Sequence, residues 1–163
     1  MTALGATVDE AARREVAALN TRYIRAIDDD RLESWPELFV EKCLYRIVTR
    51  ENFDRGFALP LMECASRGML LDRVTGYRRV NVYEPQRYTH MLSGLVIERL
   101  DETRLQCRQS YLVIRTMVTG EMTIFSAGLY LDKVILGGGG AKFEERIVVQ
   151  DSRRIDTLLV IPL

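Results

Sequence analysis

The sequence predicts an α+β fold, with helices first and a mainly antiparallel sheet after them. Three observations carry that expectation. Near the N-terminus, apolar residues recur at three- and four-residue steps, the stripe of an amphipathic helix. From Tyr88 to Val149 the chain reads as four successive strands, Tyr88–Glu98, Arg104–Thr116, Met122–Val134 and Lys142–Val149, with short joins rich in turn residues. Helical and strand patterns are segregated rather than alternating, which separates α+β from α/β.

Residues 1–6 read as a frayed start. Thr7 and Glu10 fit a capping box, and Val8, Ala12, Val16, Leu19, Tyr23 and Ile27 then form one apolar stripe. Asp28-Asp29-Asp30 ends that helix, because acidic side chains are unfavourable at a helix C-terminus. Asp30, with Glu33 three residues on, is the expected N-cap of a short helix through Leu38, which Pro36 either begins or breaks in two. Leu44–Val48 reads as a short strand and Glu51–Gly56 as a turn. Leu59–Ala65 reads as helical, with Pro60 in its first turn. Ser66 is placed to cap a further helix, Arg67–Arg79, with Met69, Leu70, Arg73, Val74 and Tyr77 facing inward.

Within the meander, Leu105 and Cys107 alternate cleanly with Arg104, Gln106 and Arg108, whereas Tyr111–Ile114 is apolar on both faces. A sheet that is apolar on both sides is covered on both sides. The joins are Asp101-Glu102-Thr103, Thr119-Gly120-Glu121 and the glycines from Gly137 to Gly140. After Asp151–Asp156, the chain closes on Leu158-Leu159-Val160-Ile161-Pro162-Leu163. Such an apolar tail either completes the core or lies in a subunit contact.

The 163 residues suit a single domain, 1–163, able to bury roughly 68–70% of its unfolded surface. Lys plus Arg equals Asp plus Glu at 23 each, a balance that argues against a nucleic-acid or anionic-membrane partner. Only Lys42, Lys133 and Lys142 among the cations are lysines, and arginine is the cation suited to interfaces and planar carboxylate pairs. Cys43, Cys64 and Cys107 are far apart and odd in number, which fits buried thiols better than disulfides or zinc ligands. With no signal peptide or apolar span in view, the expectation is a soluble cytoplasmic protein.

One histidine, His90, is present. A Rieske cluster takes two cysteines and two histidines, and a mononuclear iron triad takes two histidines and a carboxylate, so neither can be built from this chain. His90 is either a general base or a hydrogen-bonded or interface histidine. Asp28 to Asp30 offer paired carboxylates or simply cap and solvate a helix end. Gly137 to Gly140 lacks the Lys-Ser/Thr of a phosphate loop, and Ser66, Ser93, Ser110 and Ser126 lack a nucleophile-elbow context.

The helix-then-meander order matches a cone-shaped fold like that of nuclear transport factor 2. More specific residues point the same way. Trp35-Pro36-x-x-Phe39 with Cys43-x-Tyr45, Arg50-Glu51-Asn52 ending in Gly56, and Met69-Leu70-x-Asp72-Arg73-Val74 form the first group. Arg87-Tyr88-x-His90, Phe125-x-Ala127-Gly128-x-Tyr130-x-Asp132, Asp151-Ser152 leading to Asp156-Thr157-Leu158, and Ile161-Pro162-Leu163 form the second. Together they resemble the small (beta) subunit of Rieske-type aromatic-ring-hydroxylating dioxygenases, from about Tyr23 to Leu163. Tyr130-Leu131-Asp132-Lys133 resembles the terephthalate dioxygenase branch, and Arg50–Phe53 with Thr123–Phe125 the salicylate 5-hydroxylase branch.

The resemblance implies a nuclear transport factor 2-like chain that binds no cofactor and holds no catalytic residue. It implies a large (alpha) subunit carrying the Rieske 2Fe-2S cluster, a mononuclear iron and the substrate pocket. An alpha-three beta-three hexamer with a beta trimer is expected, fed by a reductase and sometimes a ferredoxin. Tyr88, His90, Leu158, Leu159 and Ile161 are the expected subunit contacts. The rival reading is a stand-alone isomerase or dehydratase of the same fold, with His90 as base and Asp28 as its partner.

Overall fold

Helix α1 (Glu10–Asp28) is the piece around which the sheet curls. The computed structural model describes residues 8–57, 59–80, 84–154, 159 and 161–163. Asp9 caps α1 by accepting from the Ala12 N–H at 2.7 Å, so the helix starts two residues later than a Thr7 cap would set it. Thr7 itself lies outside the described residues. The expected stripe faces inward, with Ala12, Val16, Leu19, Tyr23 and Ile27 buried and joined by Asn20 and Ala26. Val16, Leu19 and Tyr23 have no exposed surface, and full burial of such a side chain contributes roughly 1.5–3 kcal/mol.

Between α1 and the sheet, Pro36 divides the expected short helix into two 3-10 turns, Leu32–Ser34 and Pro36–Leu38. Asp30 is not the cap of the first turn. It takes a left-handed conformation (φ 55°) and its carboxylate accepts from Arg78 at 2.8 Å.

Three expectations for the middle of the chain are corrected. Strand β1 (Phe39–Thr49) is longer than Leu44–Val48, because it pairs on both sides. Thr49 then caps a five-residue helix, α2 (Arg50–Asp54), where a plain turn was expected. Leu59–Ala65 is not helical: Met62–Cys64 forms strand β2, antiparallel to β1 through Tyr45–Cys64 and Ile47–Met62. Pairing with an open strand edge overrides a weak helical preference in so short a segment.

Helix α3 (Arg67–Arg79) has the expected limits, with the Ser66 hydroxyl accepting from the Met69 N–H. Leu70, Val74 and Tyr77 are buried; Met69 is 44% exposed, and Arg73 instead reaches the Leu159 carbonyl. Strands β3 (Gln86–Arg99), β4 (Arg104–Met117), β5 (Met122–Ile135) and β6 (Lys142–Gln150) form the meander within two residues of the expected limits.

The six strands run β2-β1-β6-β5-β4-β3, antiparallel except for the parallel β1–β6 pair. α1 crosses the inner face and contacts β3, while α3 closes over β1 and β2. β5 and β6 approach so closely at Gly128 that a Cβ there would sit 1.9 Å from the Val149 carbonyl oxygen. Only glycine fits that approach.

Candidate functional site

Strand parity decides what lines the cone. Side chains alternate between faces, so Tyr130, Asp132 and Val134 of β5 point inward with Arg146 and Val148 of β6. Asp132 and Arg146 lie opposite one another in register. Arg146 donates to both Asp132 oxygens, Nε at 2.8 Å and Nη2 at 2.7 Å, and Nη2 also donates to Asn20 Oδ1 at 2.6 Å. Asn20 in turn donates to Gln109 Oε1 at 2.9 Å. The guanidinium carbon lies 4.1 Å from the Tyr23 ring centre, 4.2 Å from that of Tyr130 and 4.0 Å from that of Phe143.

Burial opposes the charge on Arg146, but Asp132 and the neighbouring tyrosines more than offset it and hold the group protonated. Burial pushes the Asp132 carboxyl above its ordinary value, against the pull of Arg146. Each oxygen of Asp132 is occupied by a guanidinium donor, so this pair is a strut rather than an acid or base.

Leu163 is buried against two tyrosines of the core. Tyr23 Oη donates to the Leu163 oxygen at 2.5 Å; Tyr45 Oη lies 3.1 Å from that oxygen and accepts from the Leu163 N–H at 3.0 Å. Burial pushes both phenols up, so they remain protonated hydrogen-bonding groups. Nearby, Tyr111 and Ser126 share a 2.8 Å hydrogen bond between hydroxyls, and the Ser126 hydroxyl donates to Gln150 Oε1.

A second polar centre lies where α1 ends against β3. Asp28 Oδ1 is 2.6 Å from His90 Nδ1, and Asp28 Oδ2 accepts from the His90 backbone N–H at 2.8 Å. The His90 side chain has no exposed surface, and its Nε2 is buried without a hydrogen-bond partner among the described residues. A cavity of about 380 Å³ adjoins Asp28 and is also lined by Asp30, Tyr77, Arg87, Tyr88 and Ile161. A carboxylate on Nδ1 with an unengaged Nε2 is the arrangement of an oriented base.

The sequence reading thus found both members of this pair, and the fold brings them together. It missed the Arg146–Asp132 centre, although the alternation of Tyr130, Asp132 and Val134 was a usable signal. Of the expected contact residues, Tyr88, His90, Leu159 and Ile161 are buried within this chain, and Leu158 lies outside the described residues.

The thiols do not assemble a metal site. Cys43, Cys64 and Cys107 are free and buried. Burial pushes Cys43 up to about 11 and Cys107 up to about 12, the latter helped by Asp132. No cluster of three or more His, Cys, Asp and Glu that could hold a metal exists among the described residues. With one histidine, already bonded to Asp28, the residues of this chain do not fit a Rieske cluster or a facial-triad iron.

The outer face of the sheet is different in kind. Met91 pairs with Leu112, Ile114 with Ile124, and Leu131 with Ile147. Met91 is 56% exposed and Ile124 73% exposed. Among the described residues no helix is long and apolar enough to cross a membrane.

Comparison with known proteins agrees with this architecture. A family model described as a SnoaL-like domain matches residues 9–147. The chain is 39% identical over 149 residues to the anthranilate 1,2-dioxygenase small subunit of Burkholderia cepacia, covering 91% of this chain and 92% of that one. It is 38% identical to a beta subunit of the terephthalate 1,2-dioxygenase terminal oxygenase component of a Comamonas species, covering 91% and 97%. A solved structure from Novosphingobium aromaticivorans, assigned as the beta subunit of an aromatic-ring-hydroxylating dioxygenase, superposes with a TM-score of 0.86 at 36% identity, covering 94% of this chain and 98% of that chain. The α+β cone and the family expected from the motifs are both borne out: the chain belongs to the SnoaL-like domain family and, within it, to the small subunits of aromatic-ring dioxygenases.

Proposed function

We propose that this chain is the non-catalytic, structural small subunit of a multicomponent aromatic-ring-hydroxylating oxygenase acting on a carboxylated aromatic in aromatic catabolism. The observation that carries the reading is the match over 91% of the chain to the anthranilate enzyme's small subunit. The interior is consistent with it: the Arg146–Asp132 pair and Leu163 are buried there, each held by hydrogen bonds within the chain.

The Rieske cluster and mononuclear iron belong, in this reading, to a large subunit, and the electrons come from a reductase, directly or through a ferredoxin. The assembly is an alpha-three beta-three hexamer in the cytoplasm. The apolar outer face around Met91, Leu112, Ile114 and Ile124 supplies subunit contact, since exposed apolar patches of this kind mark interaction surfaces. With their side chains facing the chain's own core, Tyr88, His90, Leu159 and Ile161 act beneath such contacts by holding the surface in shape.

The test is co-expression with the large-subunit gene. The two chains are expected to purify as one complex whose ring-hydroxylating activity depends on both. Separate purification with a fully active large subunit alone would sink the reading. A second reading, a stand-alone isomerase or dehydratase, rests on the 2.6 Å Asp28–His90 contact. It requires that His90→Ala abolish turnover of proton-abstraction substrates; turnover that is unchanged, or absent from the wild type, removes it.

A further inference from the structure

A second surface carries an inference that rests on the small-subunit reading and names what part of the partner it takes. Between α1, the two 3-10 turns and the start of β6 lies an open groove of about 560 Å³. Its lining includes Arg22 and Arg25 from α1, Arg31 from the connection after it, and Lys142 from β6, with Glu37 as the lining carboxylate. Asp29, at the edge, is shared: it is 3.8 Å from Arg25 and 3.0 Å from Arg31. Arg22 and Lys142 have no carboxylate partner among the described residues. Arg22 is instead steadied by donating to the Ala141 carbonyl at 3.3 Å, which leaves other guanidinium donors for a ligand.

Three separate elements therefore bring four cations to one groove that its own carboxylates do not balance. Elsewhere many cations are paired one to one, as in Arg46–Glu63, Arg50–Asp151, Arg67–Glu41 and Arg104–Asp101. Gathering like charges is unfavourable in the free subunit and is relieved by an anionic partner. Arginine's planar fork suits carboxylates in particular. The groove is too open to enclose a small ligand, since small-molecule sites bury most of their ligand.

We propose that this groove docks an Asp- or Glu-bearing segment of the large oxygenase subunit, with Arg22 and Lys142 as its principal contacts. The apolar outer face supplies adhesion, and this groove sets orientation and association rate.

The experiment compares wild type, the double variant Arg22→Glu/Lys142→Glu, and Arg55→Glu as a control cation at the C-terminal end of α2, each titrated against the purified large subunit. Circular dichroism and thermal melting of the isolated small subunits establish that each is folded; Arg22 and Arg55 are exposed and Lys142 half-buried, and both readouts are expected to stay unchanged. The expected result is at least a tenfold rise in apparent Kd for the double variant, little change for Arg55→Glu, and a shallower dependence of Kd on salt than wild type shows. An unchanged Kd and salt dependence in the double variant overturns the groove assignment and leaves the small-subunit reading standing. A wild-type chain that does not associate with the large subunit overturns both. Loss of affinity equal to that of Arg55→Glu also overturns it, as a general charge effect.

Discussion

Asp28 and His90 are joined twice across 62 positions of sequence: one carboxylate oxygen meets Nδ1 of the ring at 2.6 Å, and the other accepts the histidine's backbone N–H at 2.8 Å. This double contact pins the end of α1 to strand β3, an edge strand of the sheet. It also fixes the ring: in the neutral form, the proton sits on Nδ1.

Replacement Asp28→Asn reverses that tautomer. The amide oxygen still accepts the backbone N–H, but the amide NH2 now faces Nδ1, which must become the acceptor. Nitrogen-15 shifts of the ring are expected to report Nδ1–H in the wild type and Nε2–H in Asp28→Asn. Asp28→Ala, which leaves a buried N–H unpaired, lowers stability by about 1–3 kcal/mol in urea unfolding. A variant that keeps Nδ1–H would show that Asp28 does not orient the ring.

The Arg146–Asp132 pair, with side chains 0% and 1% exposed, behaves as a unit. Removing one partner strands a buried charge, so Asp132→Ala or Arg146→Met alone costs about 3–5 kcal/mol. The double change Asp132→Leu/Arg146→Met costs much less than the sum, because no charge remains to be desolvated. Chemical denaturation of the four proteins checks this, and additive losses would contradict it.

Gly128→Ala is expected to separate β5 from β6. Its Cβ would lie 1.9 Å from Val149 backbone, which cannot swing aside as a flexible side chain could. A loss of at least about 2 kcal/mol follows from such overpacking. Native-state hydrogen exchange should show the β5–β6 amides losing protection first.

The cysteines should be inert in the folded chain. With Cys43 raised to about 11 and Cys107 to about 12 by burial, the thiolate fraction at pH 8 is about one in a thousand or less. A disulfide exchange reagent should find essentially no thiol in the native protein and all three after denaturation.

Acid loosens the β3–β4 turn before the core. Asp101 accepts from Arg104 Nε and from the Thr103 and Arg104 N–H groups, led by the Arg104 side chain, and its carboxyl is held well below the usual range. A depressed carboxyl contributes stability that is complete above its unfolded value of about 3.9 and is lost as pH falls toward its folded value. Protection of the Thr103 and Arg104 amides, relative to their intrinsic exchange rates, should therefore fall below about pH 4, and Asp101→Asn should remove that pH dependence.

Much of this was legible from local pattern. α3 with its Ser66 cap, the four meander strands and the stripe of α1 follow from periodicity and capping chemistry, which act over a few residues. β2 was not legible, because three residues carry no period, and they are a strand only because the edge of β1 is there to pair with. Nor was the length of β1, whose ends are set by the parallel partner β6. The capping role given to Thr7 passed to Asp9, a choice between neighbouring acceptors that sequence alone leaves open.

For function, the sequence by itself determined what this protein lacks the residues to be. One histidine cannot ligate a Rieske cluster, and the distributed motifs marked the small-subunit family. The tertiary structure decided where the chemistry sits. It paired Asp28 with His90, closed Arg146 on Asp132, drew Leu163 onto Tyr23 and Tyr45, and gathered Arg22, Arg25, Arg31 and Lys142 at one groove. The physical reason is range: periodicity and caps are set by neighbours along the chain, whereas these contacts join residues that only sheet register and helix packing bring within hydrogen-bonding distance.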